Sequence, residues 1–570
     1  MRYHALACDY DGTLASHGHI DDDTRAALDR LIATGRRLIL VTGRRVDDLQ
    51  TVCPDLSPFA LVVAENGAVL YDPAARELRA LVEPPPRAFA ETLAARGASD
   101  VARGEVIVAT WQPHEALVLE IIREMGLELQ VIFNKGAVMV LPSGVNKATG
   151  LHAALGALRL SPHNVVGIGD GENDHALLTA CECGVAVANA VPMLRERADL
   201  VTAGHQGRGV VELADRLMAN DLRDLTPPLT RHDLPLGADP SGAAVTLPAH
   251  GANVLLCGTS GAGKSTLATA FMERLDERGY QYCILDPEGD YNDLPRAVTV
   301  GTQKIEPNLD DITKLLDKPD QNVTVNLLGV GLSGRPAFFD KVLPRVQAQR
   351  DRSGRPQWLI LDEVHHLAPQ SRPLDGTPPE PPLNLFLITV HPAHVSHALL
   401  ESVDIVLVVG TAPKQMLVEF ADAVGLPPPE LEDAPLPSGE AMLWWPRRDR
   451  RPIRLTTTPS RIERRRHIRK YADGEIQPER SFYFRGPEGK LNLRAQNLMS
   501  FLQIGDGVDD GTWNFHLRAG DYSRWFEHVV KDRDLASEVA AVERADRDTP
   551  TAESRRAVRE AVERRYTAPP

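Results

Sequence analysis

A chain of 570 residues is too long for one hydrophobic core, so three or four domains are expected. Its formal net charge of -15 excludes a broadly basic nucleic-acid coat, although a local basic patch remains possible. The six cysteines (Cys8, Cys53, Cys181, Cys183, Cys257, Cys283) fall mostly inside apolar, strand-like runs with no zinc spacing, which predicts reduced, buried thiols. No apolar run is long enough to cross a bilayer, so no membrane partner and a cytoplasmic location are expected.

In chain order, residues 5–14 (A-L-A-C-D-Y-D-G-T-L) read as a short strand running into two aspartates. Parallel α/β sheets bind ligands at the carboxyl ends of their strands, which would project Asp9 into such a crevice. A carboxylate there can attack phosphorus, and Asp11, two residues on, is placed to protonate the departing oxygen. Residues 21–34 carry acidic residues first, apolar residues at helical spacing and Gly35 as a stop, predicting a helix. The apolar run 38–41 predicts a buried strand ending at Thr42 and Gly43, whose hydroxyl and amide suit phosphate oxygens. Residues 61–71 read as a hairpin around Glu65-Asn66-Gly67.

From about residue 72 to 138 the pattern becomes mixed helix and strand, predicting an inserted lid, with the core resuming at 138–141. Lys147 opens a helix and can offset phosphoryl charge. Residues 165–174 (V-V-G-I-G-D-G-E-N-D) predict a buried strand delivering Asp170 and Asp174, four residues apart. With Asp9 they supply the hard oxygen ligands that Mg²⁺ requires.

D9-Y-D11-G-T, V-T42-G-R, K147 and G-D170-G-E-N-D174, in this order, resemble the four motifs of the haloacid dehalogenase (HAD) phosphatase superfamily. The E-N-G hairpin, the G-V-A-V-A-N-A run and the lid position resemble its type IIB branch of sugar-phosphate, sucrose-phosphate and phosphoglycolate phosphatases. The resemblance covers roughly residues 1 to 215. It implies that Asp9 is the nucleophile, Asp11 the acid and then base, and Thr42 and Lys147 the phosphate holders, with Gly43 and Asn173 beside them. It also implies that Asp9, Asp11, Asp170 and Asp174 form the Mg²⁺ set.

Residues 221–245 are rich in proline, aspartate and glycine and read as a linker. A strand at 253–257 then runs into G-T-S-G-A-G-K-S-T, a P-loop in its confirming context of strand and helix. Gly258, Gly261 and Gly263 let the backbone cradle phosphates, Lys264 reaches the β and γ groups of ATP, Ser265 holds Mg²⁺ and Thr266 continues the first turn. Residues 358–363 (W-L-I-L-D-E) add Asp362 for the metal and Glu363 to activate water, which favours hydrolysis over transfer. The run I-L-D-P-E-G-D-Y at 284–291 resembles HerA/FtsK-like translocase ATPases, a likeness extending over about residues 246 to 456. It departs at Thr389-Val390-His391, where a glutamine after the threonine would sense the γ-phosphate.

Residues 461–470 form the densest basic run, read either as a solvated helix or as contact with a phosphate backbone or acidic partner. Residues 481–543 hold enough aromatics for a small core, and the last two dozen residues read as a charged, fraying helix or disordered tail.

The expected fold is therefore α/β. A Rossmann-like HAD core with an inserted α+β lid (1–220) is followed by the linker, a P-loop ATPase domain (246–456), a small α+β or helical module (457–545) and a tail (546–570). The expected partners are a small phosphorylated substrate and ATP, with a homo-oligomer through the ATPase domain left open. Three alternatives stay open. Nucleic acid could be the object of the motor with the phosphatase trimming its ends, the P-loop domain could be a kinase partner, or it could be a nucleotide switch.

Overall fold

The computed structural model describes residues 1–134, 136–225, 229–259, 261–372, 384–432, 434–461, 476, 480–530, 532–545 and 550–566. They form two compact units, one made of Met1–Lys264 and Arg274–Thr458, the other of Ser265–Glu273 and Pro459–Pro570. The architecture is mixed α/β throughout the first unit.

The amino-terminal sheet has eight strands among the described residues. In spatial order they are Leu200–Val201, Cys183–Ala186, Val165–Gly169, Ala5–Cys8, Arg37–Val41, Phe59–Ala64, Val69–Asp72 and Glu77–Ala80. The first six run parallel and the last two antiparallel. Leu38 to Val41 are fully buried, as a strand covered on both faces requires. The Asp22–Ala33 helix starts where the Asp21 carboxylate accepts from the Thr24 amide, and it buries Ala27, Leu28 and Leu31.

The lid is a four-stranded antiparallel sheet in the order Ala102–Arg103, Val108–Trp111, Ala137–Pro142, Leu129–Asn134, with the helices Arg87–Ala95 and Glu115–Glu124. Here the structure corrects the expected return to the core. Residues 138–141 belong to the lid sheet, and the core resumes only at the Lys147–Leu158 helix. The strand is buried on both faces. Val138 and Val140 pack with Phe89, Leu93, Val118 and Ile121 of the lid, while Met139 and Leu141 pack with the main core. That two-sided burial produces the continuous apolar run that reads as a core strand.

The second sheet has eleven strands among the described residues. Parallel strands Ile405–Val409, Val254–Gly258, Leu385–Thr389, Trp358–Leu361, Tyr282–Asp286, Asn322–Asn326 and Ala297–Val300 form its body. The antiparallel strands Glu440–Trp444 and Ile453–Thr457 extend it. Beyond them lie Leu234–Ala238 and Ala244–Leu247, so part of the expected linker is instead an edge hairpin. Its turn residues Asp239 to Gly242 dominate the local composition and mask two short strands, one of which buries Leu234 and Leu236.

The second unit has an aromatic core of Phe482, Phe484, Phe501, Trp513, Tyr522, Trp525 and Phe526. The Thr551–Tyr566 helix packs into that same core through Val558, Ala561, Val562 and Tyr566, which corrects the expectation of a fraying tail. Its charged residues occupy the outer faces and conceal the apolar stripe at i, i+3, i+4 and i+8. Within the basic run only Arg461 is described; residues 462–470 lie outside the described residues. Among the described residues no helix is long and apolar enough to cross a membrane.

Candidate active site and nucleotide site

Three carboxylates converge at the carboxyl ends of two adjacent parallel strands of the amino-terminal sheet. Asp9 follows Ala5–Cys8, Asp170 follows Val165–Gly169, and Asp174 closes the short turn after Asp170. Ligand oxygens of Asp9, Asp170 and Asp174 all lie within 4.8 Å of one another, and all three residues are buried. Lys147 Nζ donates to Asp9 Oδ1 at 2.5 Å and to Asp174 Oδ1 at 2.6 Å. The lysine is positioned by its helix start. Asn146 caps the helix by accepting from the Ala148 and Thr149 amides, and Thr149 bonds back in a capping box.

The Asp174 carboxylate is itself aimed by two backbone donors, the amides of Asp170 (3.0 Å) and Gly171 (2.8 Å). Its approach requires glycine at 169, where a Cβ would stand 2.5 Å from Asp174 Cγ. The Thr13 hydroxyl lies 3.4 Å from Asp170 Oδ1.

One lysine does not balance three buried carboxylates. Burial first, and then the Asp174 charge, push the Asp9 carboxyl up to about 7 despite Lys147. Lys147 itself is shifted upward, since Asp174 and Asp9 outweigh the burial that alone would lower it. A set of buried, oxygen-only donors with excess negative charge fits a hard divalent cation.

The remaining residues picked out in the sequence fall around this centre. The Asp11 side chain lies outside the trio formed by Asp9, Asp170 and Asp174. Its two oxygens accept from Arg44 Nε (2.6 Å) and Nη2 (2.8 Å). Arg44 follows Thr42 and Gly43 directly, and a second bond to Asp48 at 2.7 Å steadies it. Thr42 is buried at its strand end, where its hydroxyl accepts from the Arg44 amide at 3.1 Å. A Cβ at Gly43 would lie 3.6 Å from Met139 Sδ and 3.8 Å from Asn173 Nδ2, so the lid strand approaches the Thr42-Gly43 turn there. Asn173 Nδ2 donates to Asn66 Oδ1 at 2.9 Å.

Sequence reasoning left Arg44, Asn66 and Glu65 without roles. The buried Glu65 carboxylate accepts from the amides of Glu105, Val106 and Ile107, each at 2.8 Å, and so pins the lid to the core. The signal in sequence is slight, an acid beside an asparagine in a tight turn, both with positive φ.

In the second sheet the Val254–Gly258 strand leads into the P-loop. Gly261 (φ 74°) and Gly263 (φ 99°) adopt the left-handed backbone that side chains disfavour. The Lys264–Glu277 helix then begins, with Ser265 and Thr266 in its first turn. Lys264 Nζ donates to the carbonyls of Gly258 (3.0 Å) and Thr259 (3.2 Å). Burial holds its ammonium below the ordinary range, against the opposing pull of Glu363 and Asp362. Asp362, at the end of Trp358–Leu361, is held well above the carboxylate range by burial and then by Asp286 and Glu363. Glu363 is raised as well, by burial first.

Asp286 accepts from the amides of Gly289, Asp290 and Tyr291, which makes the D-P-E-G-D-Y segment a turn built on its first acid. His391 is exposed, and its ring meets His394 at 4.9 Å. The histidine that stands between Glu363 and the Thr389 strand end is His365. Its Nδ1 lies 3.1 Å from Thr389 Oγ1 and 3.4 Å from Glu363 Oε2.

Fold and site together define a hydrolase domain of Rossmann-like α/β architecture joined to a P-loop nucleotide-binding domain. Residues 6–82 and 114–213 match the haloacid dehalogenase-like hydrolase family, a match interrupted within the lid, and residues 249–386 match the AAA domain. A phosphoglycolate phosphatase of Natronomonas pharaonis is 33% identical over 227 residues, covering 38% of this chain and 98% of that protein. That of Methanothermobacter thermautotrophicus is 31% identical over 228 residues, with 38% and 98% covered. Phosphoglycolate phosphatase 2 of Saccharolobus solfataricus is 26% identical over 228 residues, with 38% and 93% covered. The chain belongs to the haloacid dehalogenase-like hydrolases, and it carries an AAA domain in addition.

Proposed function

We propose that the chain is a Mg²⁺-dependent phosphomonoesterase of the type IIB kind, acting on a small phosphorylated metabolite such as a sugar phosphate or 2-phosphoglycolate. The observation that carries this reading is the Asp9–Lys147–Asp174 bridge with Asp170 beside it, buried at the strand ends. Three relatives of this portion are named phosphoglycolate phosphatases, which supports the substrate class. Asp9, Asp170 and Asp174 would hold Mg²⁺, which neutralises phosphoryl oxygens when bound.

The chain's own residues do the rest. An Asp9 oxygen attacks phosphorus and the ester oxygen leaves with a proton from Asp11, giving an aspartyl-phosphate. Water then attacks that phosphorus as Asp11 takes its proton, and inorganic phosphate departs. Lys147 holds Asp9 in line, Thr42 and Gly43 meet the phosphoryl oxygens, and Arg44 orients Asp11.

This chemistry belongs to a phosphatase domain of residues 1–220. In residues 246–456 a HerA/FtsK-like domain binds ATP through Lys264 and Ser265, and Asp362 and Glu363 support its hydrolysis. The test is release of phosphate from a panel containing 2-phosphoglycolate and sugar phosphates, with Mg²⁺ or with EDTA, by the full chain and by Asp9→Asn. Turnover by the wild type alone, and only with Mg²⁺, is expected. Equal release by both proteins would defeat the nucleophile assignment. Lys264→Ala should abolish ATP binding, whereas Glu363→Gln should bind ATP without turning it over.

A further inference from the structure

Between the two sheets of the first unit lies a buried polar joint that neither site uses. Its hub is Glu182, with His163 and Tyr280 buried around it. Glu182 Oε2 meets His163 Nδ1 at 2.6 Å and accepts from the Tyr280 hydroxyl at 3.0 Å, while Oε1 is paired with Arg2. His163 Nε2 reaches the Arg278 carbonyl at 2.9 Å, and the His163 ring stacks on Tyr280 with centroids 3.7 Å apart. His163 thus bridges the Glu182 carboxylate and the Arg278 carbonyl through its two ring nitrogens. Arg278 Nη1 donates to the Arg231 carbonyl at 2.8 Å, and Arg231 in turn bonds to the carbonyls of Leu178 and Glu182.

His163, Glu182 and His232 also have the composition of a metal site. The spacing argues against one. Donors bound tetrahedrally to one zinc at about 2.0–2.1 Å stand roughly 3.3 Å apart, and a 2.6 Å separation is that of a shared proton. The Arg2 cation on the same carboxylate also opposes a second positive charge.

The position of the joint gives it a consequence. His163 lies two residues before the Val165–Gly169 strand, whose far end delivers Asp170. Tyr280 lies two residues before the Tyr282–Asp286 strand, whose far end delivers Asp286, a neighbour of Asp362 in the nucleotide site. The Glu182 amide bonds to the Pro162 and Val165 carbonyls, and Cys181 Sγ is packed so closely that a Cβ at Gly167 would stand 2.7 Å from it. The joint thus ties together the amino ends of two buried strands whose carboxyl ends carry acids of the two sites. Packed strands of this kind move as units.

We infer that this joint couples the two sites, so that a nucleotide on the P-loop alters phosphatase turnover through Tyr280, His163 and Glu182. The inference rests on the two activities proposed above. It is tested with the full chain and the non-hydrolysable nucleotide AMP-PNP with Mg²⁺, read by amide hydrogen exchange over residues 160–174 and by hydrolysis of para-nitrophenyl phosphate. Coupling of ordinary size gives a change of about fivefold or more in both readouts. Tyr280→Phe and His163→Leu, which touch neither site, should bind AMP-PNP normally and lose the response, and Lys264→Ala should lose it by not binding. Should His163→Leu fold poorly, Tyr280→Phe carries the test. Bound AMP-PNP with unchanged exchange and turnover in the wild type would overturn the coupling, as would a full response in Tyr280→Phe. A wild type without phosphatase activity would instead defeat the functional reading, and the exchange measurement would still judge the joint.

Discussion

At the scale of single residues, the centre is a balance of buried charge. Lys147 touches two of three buried carboxylates, and replacing it with methionine leaves them facing one another in a low-dielectric site. Removing one partner of a buried ion pair costs about 3–5 kcal/mol. Lys147→Met should lower stability by that order in urea titrations run with EDTA, and added Mg²⁺ should recover part of the loss. Gly169 makes a complementary case, because a methyl there collides with the Asp174 carboxylate. Gly169→Ala is expected to cost about 1–3 kcal/mol and to weaken Mg²⁺ binding measured by calorimetry. The pair Asp11–Arg44 acts on rate rather than on stability. Asp11→Asn should lower kcat by about 10²- to 10⁴-fold, the usual contribution of a positioned acid and base, with the fold retained by circular dichroism.

At the scale of elements, the Lys147–Leu158 helix and the Thr551–Tyr566 helix show how termini and faces decide position. Asn146 closes the first turn of the former, so Asn146→Ala should cost about 1 kcal/mol and loosen Lys147 from Asp9. The latter helix fills its unit's aromatic core, where Trp513 Nε1 donates to Ser554 Oγ at 3.0 Å. A chain ending at residue 545 should expose Trp513 and Phe501 and bind a hydrophobic dye that the full chain does not. No gain in dye fluorescence would show that the helix is dispensable. The motif-bearing strands and their order were legible in the sequence, because each is an apolar run ending in a polar residue with a chemical use. The lid strand 137–142 and the hairpin 234–247 were misassigned. One is buried on two faces by different partners, and the other is short and interrupted by turn residues.

At the scale of the whole molecule, the joint at Glu182 ties stability to pH. Burial alone would raise this carboxyl, but His163, Arg2 and His232 hold it well below the ordinary value of 4.5. A depressed carboxyl stabilises the fold above its unfolded value, and that contribution is lost as pH falls through the folded one. The melting temperature of the wild type should therefore drop on acidification below about pH 4.5–5, and Glu182→Gln, already weaker at neutral pH, should show a flatter acid limb. Parallel acid limbs would mean that another group carries the dependence.

Primary structure alone determined which chemistry this protein can attempt. The spacings in D-Y-D, T-G-R, G-D-G-E-N-D and G-K-S-T are local, and local spacing dictates which side chains leave a strand end together. It could not determine that Arg44 would meet the Asp11 carboxylate, that His365 rather than His391 would stand beside Glu363, or that His163, Glu182 and Tyr280 would form one buried network. Those pairings join residues as far apart as Glu182 and Tyr280, 98 positions along the chain. Only the packing of whole strands and helices brings such groups within a hydrogen bond, because burial is what makes leaving them unpaired too costly.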